Sequence, residues 1–254
     1  MQAETASGCD WRDAARYAAL LDADRSLFAW EWLRRHPRYR AAATRALAAG
    51  SAGPACRGAE EFGLVAFEPP RSAVPRARPL WRLAVHPYVL AAEPCRAPLD
   101  RFDLEPLRPL ATVVEDNAGE HLLLCDGLRA IRLDGPRGAF TGGPARLRYV
   151  LDGLESAQPP LLTLRRLLAL CRNGRFSRSL HAREVRARRW ILMLRTFDAL
   201  DSGADQREIA RVLLSPSVAG QAWRSREPSI RSQVQRLVGT ARRMAGGGYS
   251  RLLR

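Results

Sequence analysis

The chain has 254 residues, 46% of them hydrophobic, and a formal net charge of +15 in which all 41 basic residues are arginine. That length gives one large domain or two smaller ones, and that charge favours a polyanionic partner, whose bound counterions a basic surface releases. The five cysteines (Cys9, Cys56, Cys95, Cys125 and Cys171) are scattered without a Cys-x-x-Cys pair, which argues against a disulfide framework or a zinc site. No signal-peptide pattern opens the chain, and no apolar run approaches the ~18 residues of a membrane helix. The expectation is therefore a reducing, cytoplasmic setting with no membrane partner.

In chain order, residues 11–49 read as helical. Trp11, Tyr17, Leu20 and Leu21 suit one helix, with Asp22 and Asp24 as cap candidates for the next. Leu27, Phe28, Trp30, Glu31 and Trp32 begin a second helix that stops before Pro37. Tyr39–Ala49 makes a third, ended by Gly50. Leu64–Phe67 and Leu80–Val85 read as short strands, and the prolines at 87, 94, 98, 106 and 109 predict a mostly looped 86–109.

The clearest strand signal follows. Ala111–Glu115 leads into the turn Asp116-Asn117-Ala118-Gly119, then His121–Cys125, then Asp126-Gly127, then Leu128–Leu133. Asp-Gly between two apolar runs predicts a hairpin, so an antiparallel meander is expected. Arg146–Leu151 fits a strand or the start of a helix. From Pro159 the pattern turns helical, with Leu161, Leu164, Leu167, Leu168 and Cys171 on one face and Gly174 as the stop. A further helix is expected over roughly 182–200, its apolar side built from Trp190, Met193, Leu194, Phe197 and Leu200.

Charge is concentrated at the C-terminal end. Residues 172–254 carry 18 arginines against 6 acidic residues, a net +12 of the chain's +15. Within this stretch Asp205 and Glu208 form an acidic variant of a capping box. It opens a short helix with Ile209, Ala210, Val212 and Leu213 inside and Ser215-Pro216 at its end. A longer helix is expected from Pro228, with Ile230, Val234, Leu237, Val238 and Ala241 as one apolar stripe. The opposite face carries Ser229, Ser232, Arg236 and Arg243, flanked by Arg231, Gln235 and Arg242. Arg231, Ser232, Gln235 and Arg236 are candidates for base reading, and Arg242 and Arg243 for phosphate contact.

A short capped helix followed by this amphipathic one is the helix-turn-helix order; two ordinary helices of a bundle share the same pattern. The connection of up to twelve residues exceeds the usual three or four, and Trp223 is positioned to pack it.

The string Ser202-Gly203-Ala204, Arg207-Glu208-Ile209-Ala210, Trp223, Ser229-Ile230-Arg231, Val234, Arg236-Leu237-Val238, Met244-Ala245-Gly246-Gly247 and Tyr249 resembles a proteobacterial domain family. Its members include FseA-type activators and QseM-type antiactivators of integrative and conjugative elements. Residues 11–40, from Trp11-Arg12-Asp13-Ala14-Ala15 through Ala29-Trp30-Glu31 and Leu33-Arg34-Arg35 to Arg40, resemble the short N-terminal domain fused to it in the activators. The resemblance implies a variant helix-turn-helix on promoter DNA that activates excision and transfer genes. It also implies an alternative, a module that masks a related regulator by protein contact.

An enzyme is not expected, and no catalytic, metal or cofactor site is assigned. His36, His86, His121 and His181 lack metal-ligand spacing. Gly142-Gly143 and Gly246-Gly247-Gly248 lack the Lys-Ser/Thr of a phosphate loop. Asp100, Asp103 and Glu105 read as a solvated loop. The expected fold class is α+β, in three parts: an N-terminal helical module (1–50), a central antiparallel β segment with Pro-rich loops (51–154) and a C-terminal all-α helix-turn-helix domain (155–254). The expected partner is double-stranded DNA, with RNA polymerase or a related regulator as a possible protein partner. An architectural protein that bends DNA is a third reading.

Overall fold

A computed structural model describes residues 10–49, 58–96, 99–216, 218 and 228–254. Helices and strands are mixed in an α+β chain. Contacts divide it into two compact units: one joins the chain up to His36 with Arg183–Leu252, and the other spans Pro37–Ala182 with Leu253–Arg254. These units cut across the sequence-based divisions, because packing joins segments that lie far apart along the chain.

In the first unit, a 3₁₀ segment Ala14–Asp22 precedes α1 (Arg25–Leu33). Of the two cap candidates, Asp24 caps α1, its carboxylate accepting from the Leu27 amide at 3.1 Å. Eight of the nine residues of α1 are buried, so α1 is a core helix with no polar face. Phe28 meets Trp190 edge-on at 5.0 Å, and Trp32 meets Phe197 at 5.9 Å, geometries that suit the ring quadrupoles.

In the second unit, α2 (Pro37–Ala48) begins at the proline expected to stop its predecessor. Proline does both, since its fixed φ suits a first helical turn. Tyr39 stacks near Phe62 and Phe67, and its hydroxyl donates to the Glu68 carbonyl at 2.6 Å.

The sheet has the order β2-β3-β4-β1-β5, with β1 Val89–Cys95, β2 Ala111–Asp116, β3 Gly119–Cys125, β4 Ala130–Gly135 and β5 Arg146–Val150. The expected meander β2-β3-β4 is present and antiparallel. The sheet as a whole is mixed instead of antiparallel, because β1 runs parallel to β4. The undecided segment at 146 is a strand, paired antiparallel to β1.

Three strand expectations are corrected. Leu64–Phe67 and Leu80–Val85 form only the single bridge Leu64–Trp81. Their pairing stops because the chain turns at once, with the Val85 and His86 amides donating back to the Arg82 carbonyl. Conversely, β1 occupies the stretch expected to loop. Its pairing with β4 ends at Ala91, so Pro94 sits where only β5 flanks the strand and a missing N–H is tolerated.

All seven residues of β3 are buried. Leu122 and Leu124 join a core with Leu90, Ile131, Leu133 and Phe140, while Leu123 and Cys125 pack beside Val65 and Leu80. A strand covered on both faces reads as a continuous apolar run.

Helix α3 (Gln158–Asn173) ends as expected at Gly174, in the left-handed conformation at φ 64°. Its buried face differs from the predicted one: Thr163, Leu167 and Leu170 are inside, while Leu161, Leu168 and Cys171 are exposed. The leucine run wraps the helix, so spacing alone left the face ambiguous.

Candidate nucleic-acid interface

Three helices of the first unit pack pairwise: α4 (Ala187–Asp201), α5 (Gln206–Leu213) and α6 (Pro228–Ala245). α4 begins at 187, later than the expected 182; Glu184 instead turns its carboxylate to Arg25, 2.8 Å away. Ala199 of α4, Ile209 and Ala210 of α5, Val218, and Val234 and Val238 of α6 share one core. Half-buried Val212, Leu213 and Ile230 flank it. The inner faces expected for both C-terminal helices are thus found.

α5 starts at Asp205, whose carboxylate accepts from the Glu208 amide at 2.7 Å. The reciprocal half of the capping box is absent. The Glu208 carboxylate pairs with Arg12 instead. Residues 219–227, which include Trp223 and Gly220, lie outside the described residues, as do Cys9 and Cys56. α6 ends at Ala245 in the glycine run, with Gly247 at φ 108°.

On α6, Val234, Leu237, Val238 and Ala241 are buried, and Ser229, Arg231, Ser232, Gln235, Arg236, Arg242 and Arg243 are all exposed. The sequence of α6 contains four arginines and no carboxylate. Arg231, Arg236 and Arg242 have no ion-pair partner among the described residues. Arg243 donates to the Thr240 hydroxyl at 2.9 Å. A helix face bearing guanidiniums, hydroxyls and an amide, on a helix that carries no carboxylate of its own, suits phosphates and base edges. Arg207 and Arg211 on α5 are exposed as well. They were not singled out from sequence, although their i, i+4 spacing opposite Ile209 places them on the outer face.

Sequence reasoning also missed the brace behind this face. Trp11 is 1% exposed and lies in the core of α4, α5 and α6. Arg195 of α4 donates to the carbonyls of Trp11 and Arg12, both at 2.8 Å. Below it, Asp198 accepts two bonds from Arg35, at 2.6 and 2.8 Å, and one from the Tyr17 hydroxyl at 2.6 Å. Glu31 completes the cluster, 2.5 Å from Arg35 and 2.7 Å from Arg34. Burial works against charge at Arg35, but Asp198 and Glu31 outweigh it and raise its pKa. Burial likewise opposes ionisation of Asp198, and Arg35 overcomes it, holding the carboxyl below its ordinary value. The pair is charged, buried and bidentate.

This arrangement is a unit of three packed helices braced by an N-terminal segment. Residues 151–254 match a family model described as a T6SS transcription factor DNA-binding domain, and residues 10–62 match one described as a proteobacterial transcriptional regulator-like domain. Together the matches support a proteobacterial regulator family and point to a DNA-binding, non-enzymatic regulatory protein. Neither a curated protein nor a solved structure matches the chain. Among the described residues, no helix is long and apolar enough to cross a membrane, and no His/Cys/Asp/Glu group could hold a metal ion.

Proposed function

We propose that the chain is a sequence-specific transcriptional regulator that reads double-stranded DNA through the outer face of α6. In this reading Arg231, Ser232, Gln235 and Arg236 face the groove, Ser229 lies at the entry to the helix, and Arg242 and Arg243 hold phosphates. The carrying observation is the acid-free, exposed arginine face of α6 set on a buried trihelical core. The resemblance to FseA-type proteins supports an activating role at excision and transfer genes of a mobile element, since this chain joins both of the activators' domains. The packing of Trp11 and Arg35 against the C-terminal helices supports the same reading, because it ties the N-terminal segment to those helices.

The test is a gel-shift series on fragments upstream of the gene and its neighbours, with excess nonspecific competitor, across a range of salt. A competitor-resistant shift that disappears when Arg231 and Arg236 are replaced by alanine is expected. Folded protein that binds every fragment alike, competitor included, would remove the sequence-specific reading.

A further inference from the structure

The second unit holds a cleft of about 860 Å³ at the C-terminal end of α3, a volume within the range of small-molecule sites. Its walls carry three arginines, Arg129, Arg175 and Arg178, against one carboxylate, Asp126. Asp126 is already committed. It accepts from the Leu128 and Arg129 amides and lies 2.8 Å from the Arg129 guanidinium, which it orients. Arg175 and Arg178 are exposed and have no acidic partner among the described residues. They are not needed to neutralise the carbonyl end of α3, since Arg172 already lies in its last turn and Gly174 caps it.

The wall is also fixed in place. Phe176 is 8% exposed and belongs to the sheet core, with His181 edge-on at 5.6 Å. His181 Nδ1 lies 2.8 Å from the Ser177 carbonyl, and Arg166 donates to the Leu180 carbonyl at 2.8 Å. Ser177 and Ser179 line the same cleft, their hydroxyls bonded to each other at 2.9 Å. Guanidiniums bind phosphate oxygens in pairs, and hydroxyls supply further donors. Leu110 adds an apolar side to the cleft.

We propose that this cleft binds the phosphate groups of a phosphorylated small molecule of nucleotide size, making the second unit a ligand-sensing part of the protein. The alternative source of the same chemistry is the backbone of DNA. The experiment is calorimetric titration of the full chain, without DNA, using tripolyphosphate, ATP and adenosine at fixed ionic strength. Saturable binding of tripolyphosphate and ATP, one per chain, with none of adenosine, is expected.

Replacing Arg175 and Arg178 by alanine should weaken that binding at least tenfold without lowering the melting temperature. The R231A/R236A protein should bind ATP unchanged. The proposal is overturned by absence of saturable binding, or by equal binding to the R175A/R178A protein. It is also overturned if that variant loses duplex affinity while ATP fails to bind, since the cleft would then contact DNA. Each of these outcomes leaves the reading of α6 to its own test.

Discussion

Arg236 and Arg35 are both arginines of the same unit, yet substitution would affect them in different ways. Arg236 is exposed on α6 and makes no ion pair among the described residues, so its loss should leave folding intact. If it reads a guanine, Arg236→Ala should cost about 1–3 kcal/mol of specific affinity and relax preference at one operator position. An operator-substitution series in gel-shift format would reveal an unchanged preference if the assignment is wrong. Arg242→Ala with Arg243→Ala should instead weaken binding to all sequences and reduce the slope of log affinity against log salt by about 2. Arg35, by contrast, is 5% exposed and doubly bonded to Asp198. Arg35→Ala should cost about 3–5 kcal/mol of stability, because it strands a buried carboxylate. Urea unfolding reads this directly; a loss below about 1 kcal/mol would mean that the pair is not the brace described.

His121 gives the protein a second titrating cluster. It is 7% exposed on β3, with Nδ1 2.8 Å from Asp134 and Nε2 3.0 Å from Asp116; Arg132 and Arg82 face the same group. Burial opposes its charge, but hydrogen bonding to Asp134 prevails and raises its pKa, while Asp116 is held below its ordinary value against burial by the His121 bond. A raised histidine stabilises the fold fully below its unfolded pKa, and that contribution fades as pH rises through the folded value. A lowered aspartate contributes above its unfolded pKa and loses that contribution as pH falls. Melting temperature should therefore fall on both sides of mildly acidic pH, and His121→Gln should flatten the alkaline limb. An identical limb in the variant would assign that slope elsewhere.

At the scale of elements, what could be read in advance was what the chain decides locally. The β2-β3-β4 meander is set by its turns, where Asp116 accepts from the Ala118 amide and Asp126 from those of Leu128 and Arg129. The stripe of α6 is likewise written in its spacing. β1 was hidden because its prolines speak for a loop while its stability comes from pairing with β4 and β5, distant in sequence. The contact between Arg35 and Asp198, 163 residues apart, leaves no local trace at all. Of the candidate interface, the exposed face of α6 was legible; the support behind it was not. The cap of α5 is a local feature with a local consequence. Asp205→Ala should cost about 1 kcal/mol, read as a lower urea midpoint with unchanged slope, and a larger loss would point to a role beyond the Glu208 amide.

For the whole molecule, the first unit is built from both ends of the chain, and Pro37–Ala182 lies between them in sequence. The brace residues Trp11, Tyr17 and Arg35 each reach a partner beyond residue 183. During synthesis, roughly 160 residues separate Arg35 from Asp198, which at ~5–20 residues per second is a delay on the order of ten seconds or more. Through that interval the sheet-bearing unit can complete itself, while Trp11, Phe28 and Trp32 lack the C-terminal partners that they meet in the finished fold. The nascent N-terminus is thus an apolar segment awaiting its other half. Chains stopped after Ala182 should carry Trp11 and Trp32 in water while Trp81 stays buried in the sheet-bearing unit, with a red-shifted emission component, and should engage holding chaperones that the finished protein ignores.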